Sequence, residues 1–235
     1  LVEFLQKLET CDTDLVITLR VDEIFDKDKK VDEIKHSFCS VFKDHVYRTD
    51  EFYIRTHSYE AEFGMNGMAY KTSLLKEMNF RLLEGINYTD TLYCFLPYSR
   101  VKDFIVYDLY LYHYRMGREG QSVDTESQKK NLMQIVHMVE AMFEKMDKEN
   151  VGKHVRKNQA YFVDGAVNFC LLSLKMQSRI SSPDYSEFEK LIKHIKTYRV
   201  RHKLFKKWYL KLWWVTEKAV VLDYALRFHS FVSVK

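Results

Sequence analysis

The sequence predicts an α/β region followed by an all-α region of similar length. Up to about residue 115, short β-rich segments alternate with segments of helical spacing, whereas after residue 124 apolar residues recur only at helical spacing. The chain also holds just 7 glycines and 2 prolines in 235 residues. Such scarcity argues against turn-rich all-β folds and against Pro/Gly-rich disorder.

The first elements follow in the order helix, strand, loop, helix and strand. Three leucines at helical spacing predict a helix over residues 1–10, and residues 14–19 form a short β-rich segment typical of a strand. The charge-dense residues 20–33 predict a loop. Apolar spacing over residues 34–42 predicts a helix, and residues 52–56 predict another strand.

Two short helices and a strand complete the α/β region. Residues 69–78 suggest the first helix. Thr89 and Asp90 can cap the second, which Pro97 ends or bends. Residues 103–108 are the clearest later strand.

The all-α region after residue 124 has apolar residues at helical spacing along most of its length. Apolar residues at positions i, i+3 and i+4 run from residue 132 to residue 146, and residues 153–178 form a second long candidate. Ser182-Pro183 has the form of an N-cap with proline at the first helical position, before a stripe over residues 188–195. Residues 200–229 could form one or two more helices. We therefore expect domains at residues 1–123 and 124–235.

Composition excludes several classes of protein and site. The four cysteines are widely spaced without a CxxC pair, which indicates reduced thiols and not a disulfide framework or zinc site. Neither GxGxxG nor GxxxxGK occurs, so the usual nucleotide-binding loops are not visible. Because the chain opens inside an apparent helix without a methionine, we expect it to be a piece of a longer protein.

Basic charge is concentrated in residues 198–218, which hold seven Lys/Arg and one acid among several aromatic residues. Aromatic and basic side chains together favour the surface of an anionic membrane. The alternative is a packed helix with a solvated basic face. Nucleic-acid binding shares this composition, but no RNA- or DNA-binding motif accompanies it, so no nucleic-acid partner is predicted.

Residues 64–123 contain an ordered set of motifs. A Gly67-Met68-Ala69-Tyr70-Lys71 segment is followed by a Phe-to-Asp segment, a strand, Tyr112-His113-Tyr114, and a loop with two glycines. This order resembles family-2 glycosyltransferases of the GT-A fold, whose F-x-E-G-x-x-Y-E-D segment places an acid beside the sugar donor. The matching positions are Phe80, Glu84, Gly85, Tyr88 and Asp90.

The match has two departures. The spacing between Phe80 and Glu84 is longer than the commonest form, and Thr89 stands where the family has its usual Glu. The resemblance covers about residues 1–123 and corresponds to the second half of a GT-A domain. It implies that the nucleotide-binding half, with most of the Mg²⁺ or Mn²⁺ site, lies upstream of this chain, which alone should be inactive.

The resemblance implies that Asp90 is the catalytic base. An inverting sugar transfer needs a carboxylate to take the proton of the acceptor hydroxyl as that oxygen attacks the anomeric carbon. A helix N-terminus keeps such a carboxylate ionised. The competing interpretation is that Thr89 or Asp90 is merely an N-cap.

Further residues are candidates for substrate binding. Gly67 resembles the position where the backbone passes the donor sugar, and Glu84 could orient hydroxyl groups; a turn glycine and a solvated acid are the alternatives. Arg118, Gln121 and Ser122 lie in a loop that could close over a diphosphate, with Arg118 as the anion clamp or as a surface ion-pair partner. His113 could be a late metal ligand, although a structural histidine is the more common case.

Two Asp-x-Asp sequences, at residues 12–14 and 26–28, could in principle hold a divalent cation. The first precedes its strand and the second lies in a Lys-rich loop, whereas α/β sheets bind ligands at the carboxyl ends of strands. Turn or cap carboxylates are therefore the preferred interpretation of both.

The resemblance implies part of a glycosyltransferase that moves a sugar, with inversion, from a nucleotide-sugar donor to a saccharide or lipid-linked acceptor. The resemblance implies bacterial cell-surface polysaccharide or glycolipid synthesis, in the cytoplasm or peripherally on the inner face of the plasma membrane. The alternative is a non-enzymatic helical module for interaction or membrane docking.

Overall fold

A computed structural model of the chain shows a mixed β-sheet together with several helices, roughly an α/β arrangement. It describes residues 1–26, 28–36, 42–52, 64–116, 131–177, 185–197, 208–218, 220–222 and 224–225. The chain forms two compact units. The first comprises Leu1–Leu83, Asp90–Glu119 and Val151–Gln159, and the second Glu84–Thr89, Gly120–Asn150 and Ala160–Lys235.

The sheet of the first unit is built around one parallel pair of strands. Its strands are β1 (Leu15–Asp26), β2 (Lys29–Lys35), β3 (Val46–Arg48), β4 (Met68–Tyr70) and β5 (Asp103–Met116). Their order is β2-β1-β5-β3, with β4 also paired to β1. Strands β1 and β5 are parallel and the other pairings are antiparallel. β4 pairs with the first residues of β1, and β2 pairs with its last residues.

The predicted loop over residues 20–33 is wrong, because β1 extends to Asp26 and β2, which begins at Lys29, pairs with it as the second strand of an antiparallel hairpin. The charges that suggested a solvated loop are paired between strands. The Lys30 ammonium lies 2.9 Å from Glu23 Oε1, and His113 Nδ1 lies 3.1 Å from the same oxygen. Opposite charges on facing strands stabilise the pairing, so a charge-dense segment can be a strand.

The predicted helix over residues 34–42 is also wrong at its start, since Ile34 belongs to β2. Lys35 also belongs to β2, and His36 follows it without regular structure. Residues 37–41 lie outside the described residues, and Phe42 is exposed. The strand predicted at residues 52–56 lies outside them as well, apart from Phe52, which has no regular structure.

Short helices and turns complete the first unit. Helix α1 (Val2–Glu9) places Phe4 and Leu8 against a sheet cluster that includes Val16 and Tyr107. Helix α3 (Thr89–Phe95) confirms the second predicted short helix, and α2 (Thr72–Glu77) confirms the first except at its start. Residues 69–70, predicted as helix, belong to β4. One-turn 3₁₀ helices occupy Met65–Gly67 and Tyr98–Arg100.

The second unit is helical in the part that the structure describes. It contains α4 (Leu132–Lys148), the later part of α5 (Lys153–Gln177), α6 (Ser186–Thr197) and α7 (Trp208–Thr216). Helix α4 packs against α6. The predicted stripes form the core, because these side chains are fully buried: Ile135, Val136, Val139, Met142, Phe143, Phe188, Leu191 and Ile192.

Two further predictions concern residues that the structure does not describe. The Ser182-Pro183 cap and the predicted domain boundary at residue 123 lie outside the described residues. Cys11, Cys94 and Cys170 are free thiols, as expected from their spacing. Within the described ranges, no helix combines the length and the apolarity needed to cross a bilayer.

Candidate functional site

Asp90 lies in the first turn of α3, with its side chain exposed. Leu92, Cys94 and Phe95 bury the opposite part of the helix, so the short helix is anchored while the carboxylate stays at the surface. Asp90 Oδ1 accepts the Thr91 main-chain N–H at 2.8 Å. The carboxylate therefore stabilises the start of the helix and still presents an oxygen that can accept a proton or a ligand hydroxyl.

The neighbouring Cys94 thiol on α3 is unreactive. Burial, followed by the negative charge of Asp90, raises the pKa of Cys94 well above its ordinary value. A thiol held protonated in this way is a poor nucleophile and a poor metal ligand. Among the described side chains of α3, Asp90 is therefore the group suited to acid–base chemistry.

Two tyrosines connect α3 to the strand that follows Gly67. The Tyr70 hydroxyl donates to the Cys94 carbonyl at 2.8 Å, and the Tyr93 hydroxyl donates to the Met68 carbonyl at 3.3 Å. Gly67 itself is buried and closes a 3₁₀ turn, with its N–H bonded to the Gly64 carbonyl at 2.9 Å. Gly67 and the helix that carries Asp90 thus belong to one hydrogen-bonded framework.

The segment before α3 contains Glu84, whose side chain is exposed. The next residue, Gly85, has a φ of +74°, a left-handed conformation that favours glycine. Nothing lies within 4 Å of the position that a Cβ would take there, so the backbone conformation and not crowding accounts for the glycine. Further along the same segment, Tyr88 is buried with its ring edge-on to Phe169 at 5.2 Å.

Arg118, Gln121 and Ser122 lie outside the described residues, so their roles stay predictions. His113 is described, half exposed on β5 and paired with Glu23. The Lys30 ammonium occupies the same Glu23 oxygen, which leaves an ion-pair network in place of an open cation site.

The described part of the chain holds no group of three or more His, Cys, Asp or Glu side chains placed to bind a metal. Three of the four Asp-x-Asp carboxylates instead have structural partners. Asp12 pairs with Lys71, Asp14 Oδ2 accepts the Lys102 N–H at 2.8 Å, and Asp28 pairs with Arg115 at 3.1 Å. These contacts agree with the turn and cap interpretation. The donor set present does not fit Mg²⁺ or Mn²⁺, and the expected ion stays a prediction.

Sequence patterns missed a polar cluster formed by Arg20, Asp22 and His36, in which Asp22 is buried and the other two side chains are half-buried. Asp22 is only 8% exposed. Its Oδ2 lies 2.8 Å from His36 Nε2, and its Oδ1 lies 3.0 Å from Arg20 Nε. No sequence signal identified the cluster, because it depends on the β1–β2 hairpin. The charge-dense residues of that hairpin had been predicted as a loop. The cluster attaches the end of β2 to the middle of β1.

In comparisons with known proteins, no family model, curated protein or solved structure matched the chain.

Proposed function

We propose that the chain is the carboxyl-terminal half of a GT-A glycosyltransferase domain with a helical appendage. The complete enzyme would move a sugar from a nucleotide-sugar to a hydroxyl acceptor and invert the anomeric centre. The observation that carries the proposal is the exposed Asp90 carboxylate on a helix tied through Tyr70 and Tyr93 to the strand after Gly67. These are the elements, in the order, on which the resemblance rests.

The proposed chemistry assigns one proton transfer to Asp90. Its carboxylate takes the proton of the acceptor hydroxyl while the hydroxyl oxygen forms a bond to the anomeric carbon. The bond from that carbon to the donor diphosphate breaks, and the diphosphate leaves with the bonding electrons. Attack on the face opposite the leaving group inverts the centre. Surface exposure of Asp90 leaves room for the acceptor to approach.

The test is Asp90→Asn in the full-length enzyme, assayed by release of nucleotide diphosphate in the presence of acceptor. We expect turnover to fall by about 10²–10⁴-fold, the usual contribution of a general base. Asp108→Asn is the matched control, since Asp108 is an exposed aspartate on β5 and undergoes the same loss of charge. Near-normal turnover by a folded Asp90→Asn enzyme would contradict the assignment, as would an equal loss in the control.

A second candidate is docking on an anionic membrane through the basic segment at residues 198–218, of which residues 198–207 lie outside the described residues and α7 is described. Trp213 is buried and anchors the helix, whereas Lys211, Leu212 and Val215 are exposed. An exposed cation beside exposed apolar side chains suits the membrane–water interface. This docking would hold the enzyme peripherally on the cytoplasmic face of the plasma membrane, near a lipid-linked acceptor.

Co-sedimentation with vesicles of anionic lipid tests the docking. We expect binding at low salt that weakens as salt screens the charges, and a Leu212→Ser/Val215→Ser double variant that binds less. Absence of binding at low salt would remove this candidate. Membrane binding combined with no sugar transfer by the native full-length protein would instead favour a non-enzymatic docking module.

A further inference from the structure

A cavity of about 500 Å³ opens at the amino ends of β1 and β5. Asp14 immediately precedes β1 and Lys102 immediately precedes β5, and both line it. Lys71, Glu77 and Arg100 add three further charged side chains. The volume lies in the range of small-molecule sites. The position differs from that of a substrate site in an α/β sheet, which is found at the carboxyl ends of the strands.

The charges around this cavity are unequally compensated. Lys71 is paired with Asp12, and Asp14 Oδ2 is engaged by the Lys102 main-chain N–H at 2.8 Å. By contrast, the side chains of Arg100 and Lys102 make no hydrogen bond or ion pair to any described residue. Two cationic groups therefore line the cavity without an acceptor among the residues that the structure describes.

We propose that this cavity binds the phosphomonoester of a small organic molecule. The Arg100 guanidinium offers paired N–H donors to two phosphate oxygens, and the Lys102 ammonium offers a compact positive charge. Ser73 adds a hydroxyl donor to the lining. Leu74 and Met78, both half-buried, form an apolar wall that suits the organic part of the ligand.

Substitution of Glu77 tests the proposal, because its expected effect on binding is opposite to that of substituting Arg100 or Lys102. It lines the same cavity and has no described partner of its own. Its carboxylate repels a phosphate dianion, so removal of the charge should strengthen binding while removal of either cation should weaken it. A cavity without a phosphate site would show no such inversion of sign.

The experiment is calorimetric titration of the whole chain with phenyl phosphate at low ionic strength. We expect saturable binding, weakened about tenfold by Arg100→Gln and by Lys102→Gln, since each removes a charge-assisted contact. Glu77→Gln should tighten binding about threefold. Lys29→Gln, which removes an exposed cation on β2 outside the cavity lining, is the control and should leave binding unchanged.

Three outcomes would overturn the inference. They are the absence of saturable heat up to about 10 mM phenyl phosphate, an equal loss in all four variants, and weaker binding by Glu77→Gln. Inorganic phosphate that binds as tightly as phenyl phosphate would overturn the assignment of the apolar wall. Far-UV circular dichroism confirms that each variant is folded. The result is independent of sugar transfer, so failure here leaves the proposed function standing.

Discussion

Replacement of Asp22 by asparagine should destabilise the first unit more than any exposed acidic substitution on the same hairpin. The change preserves the shape of the side chain and removes its charge. Asp22 is 8% exposed and bonds to both Arg20 and His36. In the variant, the Arg20 guanidinium would stay on the sheet without the carboxylate that compensates it.

The magnitude follows from burial. Breaking a fully buried ion pair by removing one partner costs about 3–5 kcal/mol. The Arg20 and His36 side chains keep 23% and 17% of their exposure, so water screens part of that cost. We therefore expect a loss of about 2–3 kcal/mol, which agrees with the range of about 1.5–3 kcal/mol for a hydrogen bond to a charged group.

Urea unfolding followed by circular dichroism measures the loss, with Asp32→Asn as the control because Asp32 is exposed on β2. A double-mutant cycle with Arg20→Gln isolates the pair, and we expect a coupling of about 1 kcal/mol. A loss below about 0.5 kcal/mol, or strict additivity with Arg20→Gln, would refute the reasoning that the cluster holds the hairpin.

Three further predictions concern the cysteine thiols and the Tyr98 hydroxyl. Burial raises the pKa of the Cys94 and Cys170 thiols, so iodoacetamide at neutral pH should modify neither in the folded chain. Burial also raises the pKa of Cys11, but hydrogen bonds to two neighbouring hydroxyl groups outweigh it and lower the pKa overall; mass spectrometry should find Cys11 labelled before the other two. Because burial raises the pKa of Cys94 and Cys170, these two thiols release their protons above about pH 8.5 in the unfolded chain but keep them in the folded chain. Stability should therefore be complete below that pH and decline above it, and an unchanged urea midpoint between about pH 7 and 10 would contradict this. Asn158 donates to the Tyr98 hydroxyl at 2.8 Å, and both side chains are buried. Tyr98→Phe should lower the free energy of unfolding by about 1–2 kcal/mol in the same urea assay, and no measurable loss would show that this bond is not stabilising.

Helices were predictable from the sequence where one face of the helix is buried in the core. Helix α4 is an example: the spacing of its apolar residues matches the fully buried set Ile135, Val139 and Phe143. One face of such a helix contacts the core, so the sequence carries the pattern directly. The short helix α3 was predictable from Thr89 and Asp90 for a similar reason, since the start of a helix has a local chemical signature.

The hairpin β1–β2 was not predictable, because its stability depends on pairings that are distant or hidden in the sequence. Glu23 meets Lys30 within the hairpin and His113 from β5, a separation of 90 positions. Charged residues that the sequence suggests are exposed to solvent therefore form ion pairs between strands of the sheet. The same limit applies to the candidate site: Asp90 could be identified as an acid at a helix start, but its reaction depends on the molecule that approaches it.

Sugar transfer by the complete protein tests the central claim most directly. The full-length enzyme would be incubated with a panel of nucleotide-sugars and hydroxyl acceptors, and proton NMR would report the anomeric configuration of the product. The proposal predicts a product of inverted configuration that native protein forms and the Asp90→Asn protein does not. A product of retained configuration, or no transfer from any donor of the panel, would contradict it.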